Sequence, residues 1–409
     1  MPMPGTWLSA TASARKVRRI PVTSGSFGGR LKLFFIRQSL GVSSCFGYGL
    51  PAFGGISIVS RHNGFTALRL LCAFLVLLTH SYVVVGHGKD EPLLHFTRTV
   101  PFSSLGVDSF FAISGFLVCG SLLRDSNPMN FLRSRILRIF PALIVVVALT
   151  VFVIGPLLSV DAGYWHQPQS WSYLWVATLY GYREYIPGLF AHNPLKVVNG
   201  SLWTLPLEFT CYLLLLGLSW CRALSARSVA FVIALMLTLD LGGGFQPHDY
   251  IFQMELWRLN RFAILFFGGA LLAVLGDRVP YHRAVAAGAA VLVGALLVFE
   301  EEWRYAFPPY FLLLPYILVT TAKSLKRLAW LNQWDASYGF YIYGALVQQT
   351  IEQLMPGIGP RRMTLISAPI ALACGLASWL LIEKPALRLK APRRPVRATG
   401  SAQGADPSL

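Results

Sequence analysis

The chain is short of charge. Only 13% of its 409 residues are Asp, Glu, Lys or Arg, about half the roughly 25% usual in soluble domains. Against that, 55% are hydrophobic and the mean hydropathy is +0.55, a balance that excludes an ordinary globular fold in water. Acid is scarcest at the start, where residues 1–60 contain no Asp or Glu. Cysteine is sparse as well. The six, at 45, 72, 119, 211, 221 and 374, form no C-x-x-C pair and have no histidines at ligand spacing. Neither a disulfide framework nor a metal site is expected, and the four inside apolar runs read as small core hydrophobes.

The formal net charge of +17 raises the question of nucleic acid. The basic residues, however, stand at the ends of apolar runs and in the two tails, not on an aromatic-studded surface. That placement suits anchoring at an anionic membrane face, so membrane lipids are the expected partner and nucleic acid is not.

What the chain does have is apolar runs. They fall near 66–86, 105–123, 139–158, 202–220, 228–243, 260–276, 284–299, 307–322, 337–355 and 363–382, each close to the roughly 20 residues a helix needs to cross about 30 Å of hydrocarbon. The fold class expected is all-α, a polytopic transmembrane helix bundle of about ten helices. The division expected is a basic N-terminal extension over 1–60, disordered or a transit-like address, a membrane domain over 61–390, and a disordered tail over 391–409.

Charge in the connections gives an orientation. Alternate connections hold Arg124, Arg133, Arg135 and Arg138, then Arg222 and Arg227, Arg278 and Arg283, Lys323, Lys326 and Arg327, and Lys384 onward. The others are close to neutral or acidic, except for Arg361 and Arg362. By the positive-inside rule both termini are cytosolic. The longest outer connection, about 159–200, is dense in Trp and Tyr, which fits either stacking on sugar rings or an interfacial belt.

Ionisable residues inside apolar runs are expensive and point to function. Arg69 and His80 lie eleven residues apart on the first run, three full turns plus roughly 20°, so they share one face about 16 Å apart along the axis. Cys72, Ala73 and Val76 lie between them, small enough for the stripe to read as a cleft wall. Taken singly, Arg69 reads as a snorkelling residue and His80 as a packing one; as a pair they read as catalytic. Glu208, on the fourth run after Trp203 and Pro206, falls roughly 10 Å inside the outer boundary, a depth comparable with His80, and needs a cation, a histidine or water nearby.

Other candidates carry two readings each. Asp108 opens the second run as a helix-start anion or a site residue, and Ser114 and Gly115 below it permit close helix approach. Arg133, Arg135 and Arg138 before Pro141 are phosphate clamps or positive-inside anchors. Ser337, Tyr341, Gly344 and Gln348 make a polar, small stripe on the ninth run. A transporter or flippase would also need charges along a path, but no internal repeat is evident. A structural anchor recruiting partners through basic tails leaves the buried Arg, His and Glu unexplained.

In this order the blocks resemble the acyltransferase family 3 membrane proteins, bacterial enzymes that O-acylate lipopolysaccharide, exopolysaccharide and other exported acceptors. The resemblance covers about 64–390. It is carried by Arg69 and His80, Gly106 to Phe116, Phe131 to Pro141, Trp203 to Glu208, Ser337 to Tyr343, and Glu383 to Pro385. Many members have a histidine after the ninth-run tyrosines, where this chain has Gly344, Ala345, Gln348 and Gln349.

The resemblance implies an inner-membrane acyltransferase using cytosolic acyl-CoA, acetyl-CoA in particular, and no metal. The acceptor implied is an exported glycan or lipid-linked molecule. His80 would act as general base or acyl carrier, with Glu208 orienting or charge-balancing it. Arg69, Arg133, Arg135 and Arg138 would hold the donor's phosphates, and Asp108, Ser114, Trp203, Ser337 and Tyr341 would bind substrate.

Overall fold

A computed structural model describes residues 63–246, 248–299 and 303–390. The extension over 1–60 and the tail from 391 lie outside the described residues. Among these, every apolar run falls on a helix: α1 Phe65–Val84, α2 Phe102–Arg124, α3 Pro128–Leu149, α4 Thr204–Trp220, α5 Ala226–Leu241, α6 Leu256–Leu275, α7 Arg283–Phe299, α8 Trp303–Ser324, α9 Ser337–Leu354 and α10 Pro360–Ser378. The only sheet among the described residues is a two-stranded hairpin, β1 Tyr250–Ile251 with β2 Met254–Glu255, ahead of α6. The helical expectation is met.

The count of ten crossings is met only in part. Five segments are long and apolar enough to span a membrane: 65–84, 102–124, 128–158, 256–278 and 360–388. Helices α4 and α7 are apolar but only 17 residues each. Three prolines interrupt α8, and Gln348, Gln349 and Glu352 lower the hydropathy of α9.

Two helices extend through π turns. Pro141 sits inside α3, whose start is fixed by the Asn127 side chain accepting from the Met129 and Asn130 amides, with Pro128 at the first helical position. The helix continues through a π turn over Thr150–Ile154 into a last turn ending at Leu158. Similarly α10 passes through a π turn, Trp379–Glu383, into Lys384–Arg388. Such turns wind the chain locally and re-aim side chains; here the second turn carries Glu383.

The core is centred on α2, which packs on α1, α6 and α8. Gly115 lies directly on the Phe266 backbone and Gly269 on the Ala112 carbonyl, so a Cβ at either would overlap main chain. The close approach expected of Ser114–Gly115 is therefore made, by α6. Without a hydrophobic driving force between helices in lipid, such backbone proximity is what holds them. In the long connection before α4, Trp165 stacks near Trp171 and on Phe152. Phe152 is an exposed residue of the α3 crossing segment, so the cluster has the character of an interfacial belt.

Candidate active site

Five helices enclose a cavity of about 100 Å³. Arg69 comes from α1, Ser114 from α2, Arg135 and Arg138 from α3, Thr204, Glu208 and Tyr212 from α4, and Ser337 and Tyr341 from α9, with Phe110, Phe111 and Leu117 among the apolar lining. Helical spacing explains the convergence. Glu208 and Tyr212 are four residues apart, and Arg135 and Arg138 three, so each pair projects from one face.

At the centre, Glu208 Oε1 accepts from Ser114 Oγ at 2.7 Å and from the Tyr212 hydroxyl at 2.6 Å. The Arg135 guanidinium lies over the Tyr212 ring, 5.8 Å from its centroid. Above, the Thr204 and Tyr341 hydroxyls bond at 2.8 Å. Glu208 therefore has hydroxyl donors and a nearby cation, which is how a carboxylate is tolerated in a dry setting. It does not pair with His80 among the described residues, which corrects the expected Glu208–His80 couple: Glu208 sits with Ser114 and Tyr212 in the cavity that Arg69 lines, and His80 lies outside that cavity.

At the basic end, one carboxylate joins two helices. Asp335 Oδ2 accepts from Arg69 at 3.0 Å and from Arg138 at 2.8 Å, while Asp335 Oδ1 accepts from Ser337 Oγ at 2.7 Å. Arg138 also reaches Glu383 at 3.3 Å, and Ser378 Oγ donates to the other Glu383 oxygen at 3.0 Å. Burial works against the charged form of Asp335, but the Arg138 and Arg69 guanidiniums and the Ser337 hydroxyl more than offset it and hold the carboxyl well below the usual range. Arg69 and Arg138 thus line the cavity already neutralised, whereas Arg135 makes no ion pair among the described residues.

The expected cleft wall between Arg69 and His80 is a packing seam instead. Cys72, Ala73 and Val76 are buried, and a Cβ at Gly106 of α2 would stand 2.7 Å from the Cys72 carbonyl and 3.0 Å from Val76 Cγ2. Small residues there admit a neighbouring helix, not solvent. His80 accordingly does not line the cavity. Its ring is half-buried and its Nδ1, fully enclosed, has no hydrogen-bond partner among the described residues.

The residues flanking His80 are tied down. Thr79 Oγ1 donates to Glu91 at 3.0 Å and accepts from the Ser103 amide at 2.8 Å. On the other side Ser81 accepts from Gln348 Nε2 at 2.7 Å, and the same amide reaches the Leu77 carbonyl at 2.9 Å. Gln348 therefore fastens α9 to α1 around the histidine.

Three other expected site residues are elsewhere. Asp108, fully buried, pairs with Arg261 of α6 at 2.8 Å and accepts from the Tyr310 hydroxyl of α8 at 2.8 Å; it is a cross-brace of the core and does not line the cavity. Trp203 lies under the Arg258 guanidinium, 4.7 Å from the ring centroid, and Arg258 in turn pairs with Glu255. Arg133 is exposed on α3. Sequence reasoning missed Asp335, Glu383 as an ion-pair partner, and Arg261. Asp335 had a signal, a lone acid in a basic connection two residues before the Ser337 block.

Comparison with known proteins identifies the family. Residues 62–384 match the family model described as "Acyltransferase domain". The chain is 29% identical over 341 residues to an O-acetyl transferase of Shigella phage Sf6, covering 81% of this chain and 98% of that protein. It is 30% identical over 363 residues to Nodulation protein 10 of Rhizobium leguminosarum bv. viciae, covering 81% and 94%. It is 27% identical over 333 residues to the exopolysaccharide production protein ExoZ of Rhizobium meliloti, covering 75% and 96%. No solved structure matches the chain. With its long apolar helices and a family match running nearly from end to end of the described residues, the chain belongs to the acyltransferase domain family and is an integral membrane acyltransferase that moves groups other than aminoacyl groups.

Proposed function

We propose that the protein transfers an acyl group, acetyl in particular, from cytosolic acyl-CoA to a hydroxyl of an exported glycan or lipid-linked acceptor at the bacterial inner membrane. The observation that carries this reading is the cavity in which Arg69, Arg135 and Arg138 meet Glu208 and Ser114, inside the stretch that matches the family model. The names of two relatives, an O-acetyl transferase and an exopolysaccharide production protein, support acyl transfer to polysaccharide. Ten crossings with both termini cytosolic satisfy the charge bias of the connections.

In this scheme Arg135 receives the donor's phosphates, because Arg69 and Arg138 already carry counter-charge, and the exposed Arg133 adds only a screened field at the surface. Glu208 holds the Ser114 and Tyr212 hydroxyls in the cavity wall. Ser337 and Tyr341, both fixed by hydrogen bonds, shape the passage along which the extended pantetheine arm lies. His80, with an unpartnered ring nitrogen, takes the proton of the acceptor hydroxyl as the oxygen attacks the thioester carbonyl. The new C–O bond forms, the C–S bond breaks, and the proton passes to the departing thiolate.

Membranes containing the protein are incubated with acetyl-CoA labelled in the acetyl group, and glycans are analysed by mass spectrometry. Label appears on glycan with the wild type and is lost with His80→Ala. Label that reaches no acceptor, or full transfer by His80→Ala, overturns the reading.

A further inference from the structure

At the end of α1 opposite Arg69 there is a second, larger and open cleft of about 730 Å³, within the roughly 300–1,000 Å³ typical of ligand sites. It is lined by Tyr82 of α1, Asp90 and His95 from the connection to α2, and Arg361 and Arg362 from the start of α10. Tyr82 is thirteen residues beyond Arg69, roughly 20 Å along the helix, so the cleft and the enclosed cavity sit at opposite ends of the same element.

Two observations single out this cleft. Arg361 and Arg362 are the exception to the charge bias of the connections. Both are exposed, and neither makes an ion pair or a hydrogen bond among the described residues. By contrast Arg69, Arg138, Arg258 and Arg261 are each paired with a carboxylate. The one carboxylate in the cleft, Asp90, is engaged by His87 Nδ1 at 2.9 Å.

We infer that this cleft binds an acidic glycan, with the two guanidiniums on its carboxylate or phosphate group; the inference rests on the acyltransferase reading only in taking that glycan to be the acceptor. Adjacent guanidiniums without counter-charge offer paired, charge-assisted donors to a planar or tetrahedral oxyanion. Asp90, an acceptor only, complements sugar hydroxyls in the same cleft. The exposed His95 ring supplies surface for a pyranose face. A phospholipid headgroup uses the cations but not this combination.

The test uses the full chain in nanodiscs of zwitterionic phospholipid, with an oligogalacturonate hexamer and its neutral methyl ester as probes, and binding read without any acyl donor. The wild type is expected to prefer the acidic hexamer by at least about tenfold at low salt, with the preference shrinking as salt rises. The double variant R361Q/R362Q brings the two probes to within about twofold, while R222Q/R227Q, altered in another connection, keeps the preference. Equal binding of both probes by the wild type, or a preference that survives R361Q/R362Q, overturns the inference. So does displacement of the hexamer by anionic phospholipid vesicles at equal charge, which assigns the cleft to lipid headgroups. If the double variant fails to fold, R361Q alone and the salt titration of the wild type decide. A protein that keeps the preference yet transfers no acetyl group sinks the acyltransfer scheme and leaves the cleft standing.

Discussion

The two ends of α1 are built in opposite ways. At the Arg69 end two carboxylates are paired with guanidiniums: Asp335 bridges Arg69 and Arg138, and Glu383 takes the second arm of Arg138. At the other end His80 keeps an enclosed ring nitrogen with no partner among the described residues, although the residues on either side of it are each hydrogen-bonded. Paired charges hold helices in place and resist change. An unpaired group between two fastened ones is costly to keep. The difference separates residues that hold helices from the one proposed above as the base.

The sharpest way to break that comparison is at Asp335. Removing one partner of a buried ion pair strands the other charge, a loss of about 3–5 kcal/mol, and here Arg69 is stranded while Arg138 is left with Glu383 alone. Asp335→Ala is expected to lower the yield of folded protein and its melting temperature in detergent more than any other change here. Normal melting with normal transfer would mean that the pairing does not hold the bundle. Next is His80→Gln, for which transfer falls by about 10²–10⁴-fold, the usual share of a general base, while the melting temperature stays within about 2 °C of wild type because no hydrogen bond of the enclosed nitrogen is lost.

A smaller effect belongs to the fastening around the histidine. Gln348→Ala removes the amide that serves the Leu77 carbonyl and the Ser81 hydroxyl and leaves a cavity in a fully buried position. A destabilisation of about 1–3 kcal/mol is expected, accompanied by a lower turnover with little change in the acetyl-CoA KM, since the donor's charges are handled at the far end. A KM shift without a turnover loss would move Gln348 from the histidine's support to donor binding.

Some of this was legible in the residues alone. Hydropathy located the helices because a bilayer imposes one length and one hydrogen-bonding solution on every span, and each run did become a helix. The cost of a carboxylate inside an apolar run marked Glu208 as needing partners, which Ser114 and Tyr212 supply; helical periodicity was a poorer guide. It failed between Arg69 and His80, since small residues on a face look the same whether they border a cleft or seat a helix, and only the approach of Gly106 decides. The partners of Asp108 and Arg138 were out of reach for another reason. They stand 153 and 197 residues away, at Arg261 and Asp335, and no local pattern encodes a pairing between distant helices. The sequence's lone exception to positive-inside bias, Arg361 and Arg362, was visible at once, but only the fold set them in a cleft.

The smallest expected effect marks where the positioned region ends. Arg133 and Arg135 are two residues apart on α3 and so point about 200° away from each other; Arg135 enters the cavity and Arg133 stands at the surface. Arg135→Gln is expected to raise the KM for acetyl-CoA about tenfold, the loss of one charge-assisted contact. Arg133→Gln is expected to change it by about twofold at low salt and not at all at high salt, because a surface charge acts on the donor's phosphates only through a screened field. Stability should stay within about 0.5 kcal/mol for this exposed position. If Arg133→Gln matches Arg135→Gln at high salt, the donor's phosphates are gripped outside the cavity mouth, and the fixed end of α1 then serves only to hold helices while recognition lies wholly on the surface of α3.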